Sequence, residues 1–261
     1  MLNKGLRVKN WKKIKEDLIL FLKTEVEKTG LKKVTVGLSG GLDSAVVAVL
    51  CKEAFGDNLN CVLMPSQFSS QSSTDHAIEL CEKFNIKYEI ISIEPMVSGF
   101  IKNMDEDKLR IGNFSARMRM AVLYDVSSRE KSLVVGTSNR SELLLGYGTI
   151  FGDIACAINP IGEIYKSDEF EFARILGVPD SILNKVPSAD LWEGQSDEAE
   201  LGHSYKEMDD LLKVMIDENK SKDELLELGF EEEFIDKINY RVKANAFKGK
   251  LPTIAKIRWS Y

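Results

Sequence analysis

The chain has 261 residues, 44% hydrophobic and 29% charged, with a formal net charge of −6. That length suits one large α/β unit with room for a helical appendage, and the acidic balance gives no reason to expect non-specific nucleic-acid binding. The charge is unevenly spread: residues 189–236 hold 17 acidic and 4 basic side chains, whereas the rest of the chain carries a net of +7, where an anionic ligand would bind better.

An amphipathic helix is expected over residues 10–29, where Trp11, Ile14, Leu18, Phe21, Leu22 and Val26 recur at helical spacing among lysines and glutamates. Gly30 ends it. Its apolar run, 18–22, is too short for a membrane span or a signal core, and no other stretch qualifies. No membrane contact is expected, and the expected location is the cytoplasm. Val34, Thr35, Val36, Gly37 and Leu38 read as a buried strand, and residues 45–50 as the opening of a packed helix.

Between them lie Gly37, Leu38, Ser39, Gly40, Gly41, Leu42, Asp43 and Ser44. A Gly-rich turn at a strand-to-helix junction can wrap backbone N–H groups around an anion. The helix start adds donors and a positive dipole end. This is not the phosphate loop that ends in Gly-Lys-Ser/Thr, because Leu42, Asp43 and Ser44 stand in that place. A carboxylate beside a polyphosphate repels it unless a cation lies between them, and Mg2+ binds through one or two carboxylates plus phosphate oxygens. Asp43 therefore points to a Mg-nucleotide. The competing reading is a plain turn with Asp43 or Ser44 as an N-cap. The Ser-Gly-Gly-x-Asp-Ser pattern resembles the pyrophosphate-binding loop of the ATP-pyrophosphatase family, which adenylylates a substrate oxygen and releases pyrophosphate.

A second strand at 61–64 stops at Pro65, and the Ser- and Gln-rich segment 65–75 reads as a loop over the site. A helix near 74–84 leads to a third strand at 88–93. Residues 94–112 are read as a mobile connection, followed by a helix from about Asn113 to Ser128 and a fourth strand at 133–136. This alternation predicts a doubly wound, mostly parallel sheet with helices on both faces, of the adenine-nucleotide alpha-hydrolase-like kind that the resemblance implies. Ligands then bind at the carboxyl ends of the strands. The chain after residue 160 is read as a helical C-terminal extension within a single domain spanning 1–261. Cys51, Cys61, Cys81 and Cys156 show no Cys-x-x-Cys spacing and are read as free thiols, while His76 and His203 are read as structural or surface residues.

Gly136, Thr137, Ser138, Asn139, Arg140, Ser141 and Glu142 follow the fourth strand. They admit two readings: a helix start in which Asn139 and Glu142 form a capping-box variant, or a second Mg2+ carboxylate, Glu142, facing Asp43. Spacing does not separate the two. Taken with the first loop, the stretch resembles bacterial NAD synthetase of the short, ammonia-dependent type.

The resemblance covers most of residues 30–200. The stretch from Asn113 to Met120 looks like the substrate helix, which places Arg117 on deamido-NAD; the bland reading is Asn113 as N-cap and solvated arginines. Phe151, Gly152 and Asp153, with Asn159, Pro160 and Lys166, resemble the segment that closes over the reacting groups. Pro187, Ser188, Ala189, Asp190 and Leu191 match a further family stretch. By resemblance, Thr137, Lys166 and Ser188 contact ATP, and Asp153 is an ammonium site or proton acceptor. A lysine at a helix start opposes the dipole, which favours function over chance at Lys166. Ile150 and Ala157 depart from the Lys and Asp that many members carry there.

The resemblance implies a ligase that takes ATP, Mg2+, deamido-NAD and ammonia through an NAD-adenylate to NAD, AMP and pyrophosphate. It also implies a homodimer, with the helix at 113–128 and the N-terminal helix as interface candidates. The rival readings are another ATP-pyrophosphatase, such as a GMP synthetase subunit or tRNA thiolase, and a non-catalytic nucleotide-binding protein. A glutaminase needs a positioned Cys; the residues before the first strand and after residue 200 contain none, so ammonia is the expected nitrogen donor.

Overall fold

The structure is a computed structural model that describes residues 9–102, 107–188, 194–250 and 252–257. Helix α1 (Trp11–Lys28) starts where the Asn10 side chain accepts from Lys13 N at 3.1 Å. Strand β1 (Lys33–Gly37) feeds α2 (Leu42–Phe55), and residues 44–51 of that helix are all buried. A helix apolar on every side must be covered on every side. Next come β2 (Leu59–Leu63), α3 (Gln71–Phe84), β3 (Tyr88–Ile90), α4 (Glu94–Ile101), α5 (Lys108–Glu130) and β4 (Ser132–Val135).

The four strands are parallel and ordered β3-β2-β1-β4, with Val34 opposite Leu59 on one side and Leu133 on the other. The chain runs outward from β1 through β2 to β3, then returns to place β4 on the far side of β1. The carboxyl ends of β1 and β4 therefore flank the switch point, the crevice where such sheets bind ligands. One face of the sheet packs on α1, α2 and α3, together with α7 (Lys166–Leu176) and α8 (Asp180–Leu183). Within that layer Trp11 stacks on Phe172 with ring centroids 5.0 Å apart. The other face packs on α4 and α5 through Val62, Met64, Ile93, Val97 and Val126. The doubly wound parallel sheet read from the sequence is what forms.

The remaining helices are α6 (Arg140–Leu145), α9 (Asp197–Leu201), α10 (Tyr205–Leu212), α11 (Lys222–Glu227) and α12 (Glu232–Asn245). They enclose a second core around Leu145, Tyr165, Tyr205, Met208, Leu211 and Ile238. Much of the acidic block lies at helix starts, where capping boxes form between Ser204 and Glu207 and between Ser221 and Glu224.

Residues 94–102 and 107–112 are not a loose connection. Glu94 and Pro95 open α4, Val97 is fully buried, and Phe100 stacks on Phe114 at 4.0 Å. The Asp107 side chain accepts from Arg110 N at 3.0 Å and starts α5 ahead of the expected Asn113. Residues 103–106 lie outside the described residues. The short apolar run of α4 hid in sequence because one buried face of a two-turn helix leaves little periodicity. Similarly, Ser70 caps α3 and moves its start to Gln71.

Cys51, Cys61, Cys81 and Cys156 are free thiols, the first three buried. His203 packs on Phe234 with ring centroids 4.2 Å apart. Among the described residues, no helix is long and apolar enough to cross a membrane.

One close approach fixes the loop after β1. Gly40 has φ +75°, and a Cβ there would lie 1.9 Å from the Ser73 carbonyl oxygen on α3. Gly40→Ala is expected to destabilise the protein by about 1–3 kcal/mol through backbone strain. Denaturant unfolding tests this; an unchanged midpoint would mean that the loop and α3 part easily.

Candidate nucleotide and metal site

A cavity of about 590 Å3 opens at the carboxyl ends of β1 and β4. Gly37, Leu38, Ser39, Gly41, Leu42, Asp43 and Ser44 line one side, and Thr137, Glu142, Asp153, Lys166 and Ser188 line the rest. Gly40 is turned away against Ser73, and Arg117 does not reach the wall. The Arg117 guanidinium donates to Asn113 O, on its own helix, at 3.5 Å. Arg119 faces the cavity instead, donating from Nε to Met64 O and from Nη2 to Ser69 Oγ, both at 3.1 Å. Ala189, Asp190 and Leu191 lie outside the described residues.

The Gly-rich turn braces itself. Ser39 N donates to Ser44 Oγ at 3.2 Å, Ser44 Oγ donates to Gly41 O at 3.1 Å, and Gly41 N donates to Ser39 Oγ at 3.2 Å. The N-cap of α2 is Gly41, with no side-chain cap. Neither Asp43 nor Ser44 therefore does the capping. Asp43 sits in the first turn and turns its carboxylate toward Lys166.

Lys166 opens α7 and is 3% exposed. Its ammonium donates to Asp43 Oδ2 at 2.5 Å and lies 3.7 Å from Glu169 Oε2. Asn139 joins the other partners. Its Nδ2 donates to Asp43 Oδ1 at 2.7 Å, its Oδ1 accepts from Glu142 N at 3.0 Å, and its own N–H donates to Glu142 Oε2 at 3.1 Å. The capping reading of Glu142 is what the hydrogen bonds show. The capping box is real, and the capping Asn is also the bridge that holds Glu142 beside Asp43.

Electrostatics follow from three carboxylates around one ammonium. Burial would raise the Asp43 carboxyl, but the Lys166 charge and the hydrogen bonds around it hold it below the ordinary carboxylate range. Burial, then the Asp43 charge, pushes both Glu142 and Glu169 well above that range. Burial works against the Lys166 charge, yet the three carboxylates keep its pKa raised.

The oxygens of Asp43 and Glu142 are hard donors suited to Mg2+, and the buried Glu169 carboxyl stands beside them. Among the described residues, no group of three or more His, Cys, Asp or Glu is arranged as a metal cage.

At the far end of the cavity, Asp153 Oδ1 accepts from Thr149 N at 2.8 Å, and the surrounding protein raises its carboxyl. The turn is tight, with Phe151 at φ +58°, a conformation unusual for an aromatic residue. Thr149 Oγ1 donates to Asn113 Oδ1 at 2.7 Å, so Asn113 is a tie inside α5 and not its N-cap. Lys248 lies on the same wall, its ammonium donating to Gly146 O at 2.8 Å and Gly148 O at 3.1 Å. Lys185 donates to Ser73 Oγ at 2.7 Å near Ser188. Arg119, Lys166, Lys185, Arg241 and Lys248 line the cavity together with Asp43, Glu142, Asp153, Asp197 and Glu200, so both signs of charge meet there.

Sequence reasoning missed Glu169, Lys185, Arg119 and Lys248. Glu169 could have been found at three residues beyond Lys166 on the same helix face; the others lie on segments that only the fold brings in.

The raised carboxyl of Glu169 sets a pH dependence. The folded protein keeps a proton that the unfolded chain releases above about pH 4.3, so this group's contribution to stability falls as pH rises from there. Glu169→Gln removes the group, and its stability relative to the parent is expected to grow from about pH 5 to about pH 8. Unfolding midpoints at both pH values check this; a constant difference would mean that Glu169 ionises as freely in the folded state as in the unfolded one.

The sequence model of the NAD synthase family matches residues 14–252. The chain is 52% identical over 242 residues to the NH(3)-dependent NAD(+) synthetase of Wolinella succinogenes, covering 92% of this chain and 94% of that one. Among solved structures, the NH3-dependent NAD synthetase of Campylobacter jejuni matches at a TM-score of 0.82 and 40% identity, over 95% of this chain and all of that one. The NMN synthetase of Francisella tularensis matches at 0.85 and 32%, over the same shares. A Gly-rich loop, a lysine–carboxylate cluster and this likeness along nearly the whole length lead to one conclusion: the chain belongs to the NAD synthase family.

Proposed function

We propose that the protein carries out the ATP-dependent amidation of deamido-NAD with ammonia, giving NAD, AMP and pyrophosphate. The observation that carries the reading is Asp43, held between Lys166 and Asn139 at the mouth of the Gly-rich turn. The relatives named for this activity support it over nearly the full chain.

The chemistry divides into two steps. The nicotinate carboxylate attacks the α-phosphorus of ATP; an O–P bond forms and the bond to the β-phosphate oxygen breaks. The turn at 39–44, the N-terminus of α2 and Lys166 are placed to bind the departing pyrophosphate, which is electrostatic catalysis. Asp43 and Glu142 would hold Mg2+, which supplies positive charge to the polyphosphate. Ammonia then attacks the acyl carbon and AMP leaves. Asp153, whose carboxyl burial raises, is assigned to accept the proton that the ammonia sheds. Thr137 and Ser188 are assigned to ATP. Arg117 is assigned to deamido-NAD at the outer surface of α5, and Lys248 joins the substrate side.

We read the chain as one catalytic unit, 1–261, working in the cytoplasm, where ATP is supplied and free thiols persist. It is proposed to act as a homodimer through α1 and the part of α5 at 113–128, where Leu20 is 64% and Tyr124 41% exposed. A sedimentation mass of two chains at micromolar concentration is expected; a one-chain mass would exclude the dimer.

Protein mixed with Mg-ATP, deamido-NAD and ammonium should form NAD, read out with alcohol dehydrogenase. Asp43→Asn keeps shape and Glu142→Gln keeps shape and cap, but each loses charge; each is expected to lower turnover by about 10²–10³-fold, with little change in melting temperature for Glu142→Gln and a lower one for Asp43→Asn, which leaves the buried Lys166 ammonium without its contact partner. Full turnover in Glu142→Gln would leave that residue a capping role alone. Glutamine freed of ammonia should not replace ammonium. Neutral ammonia is the nucleophile, so at limiting total ammonium the rate should rise with pH below the ammonium pKa. Comparable rates with glutamine would overturn the choice of nitrogen donor.

A further inference from the structure

Asp209 lies on α10, in the helical layer, fully buried and off the cavity wall. Its Oδ1 accepts from Ser141 Oγ at 2.5 Å and its Oδ2 accepts from Ser167 N at 2.8 Å. Ser141 Oγ in turn accepts from Lys166 N at 2.9 Å. The first two N–H groups of α7 are therefore satisfied from outside the helix, by a hydroxyl on α6 and a carboxylate on α10. Its own N-cap residue, Tyr165, makes no side-chain cap bond. A buried carboxylate is well matched to this place, because helix starts favour negative charge and hydrogen bonds to an ionised acceptor are the stronger kind.

The clamp bears on the residue at the centre of the site. Lys166 is the first residue of α7, so the clamp fixes the backbone from which its side chain reaches Asp43. The same helix α10 also meets the far end of that side chain. Tyr205, one turn before Asp209, sets its ring 6.0 Å from the Lys166 ammonium and is held there by its hydroxyl, which donates to Asp197 Oδ2 at 3.1 Å. Between and beyond these two residues, Met208, Leu211 and Leu212 are fully buried in the second core.

We propose that Asp209 is the positioning residue for Lys166, and that the helical layer serves the reaction by fixing where this ammonium stands. The proposal rests on the reading of Lys166 as the cation for the polyphosphate. It explains why a carboxylate is needed at 209. Two donors on two different elements must be accepted at once; an asparagine offers one oxygen and turns an NH2 group toward the second donor.

The test is a double-mutant cycle between Asp209→Asn and Lys166→Met, reading the Kd for Mg-ATP by calorimetry and kcat and KM for ATP, with unfolding midpoints to confirm folded protein. Asp209→Asn in the parent is expected to lower kcat/KM for ATP by about tenfold or more. In the Lys166→Met background the same change should have less than about a twofold effect, because residues acting through one another are not additive. Equal factors in both backgrounds, or unchanged kinetics in folded Asp209→Asn, would overturn the proposal and leave Asp209 a general stability role. Ser141→Ala removes the hydroxyl that links Asp209 to Lys166 N; it repeats the cycle with a smaller perturbation and should show the same non-additivity. If Lys166→Met itself keeps parental Mg-ATP affinity and turnover, the reading of Lys166 fails and the proposal fails with it, a result distinct from additivity.

Discussion

The site depends on one buried ion pair, Lys166 against Asp43. Removing both charges from water is expensive, and such pairs are weak sources of stability. What the pair does is hold geometry. An ammonium with two carboxylates beside it, Asp43 in contact and Glu169 a little farther off, has a defined place to stand. Asp43, gripped by Lys166 on one oxygen and Asn139 on the other, has a defined direction. Each partner comes from a different element: α2, α7 and the N-cap of α6. The pair thus ties together the carboxyl ends of β1 and β4, the place where the sheet topology opens a crevice.

The fold was legible in sequence wherever a short segment carries its own period or its own punctuation. β1, the Gly-rich turn and α2 could be read residue by residue, because an apolar run, two adjacent glycines and a second apolar run determine what each segment must do. Residues 94–112 could not. The helices there are specified by an Asp107 cap and by the burial of Val97 against α5, and burial is a property of the neighbours. At the site, Asp43, Glu142 and Lys166 were singled out because resemblance named them, and the fold brings them together. Asn139 was read only as a cap, since the sheet register that brings its amide to Asp43 joins residues 96 apart.

At Glu142 a structural role does not use up the side chain that the proposed function needs. A capping box satisfies two backbone N–H groups at the start of α6 and spends no more than one carboxylate oxygen, Oε2, on the cap. The other oxygen stays available to the crevice. The same economy holds at Asn139, whose carbonyl oxygen caps and whose amide nitrogen reaches Asp43. Residues at helix starts near a switch point can serve both purposes because the cap fixes the side chain that the site then uses.

The departures at Ile150 and Ala157 fit a related argument. A cavity that receives an anion needs positive charge at suitable places, and the chain segment that supplies it is free to vary. Here Lys248 reaches the wall beside Asp153 from a segment beyond α12, with its ammonium seated on two backbone carbonyls at the end of α6. That seat is made by backbone carbonyls, and the Asp153 carboxyl lies near enough to interact with the charge. The Gly-rich turn works by the same logic from the opposite side: its serine hydroxyls bond within the turn and its glycine backs onto Ser73, so the turn's shape is set before a ligand arrives. Both ends of the cavity are held by contacts that the ligand does not have to supply. A site arranged this way stabilises developing charge without having to reorganise as the reaction proceeds, and that is the condition under which fixed dipoles and buried charges contribute most to catalysis.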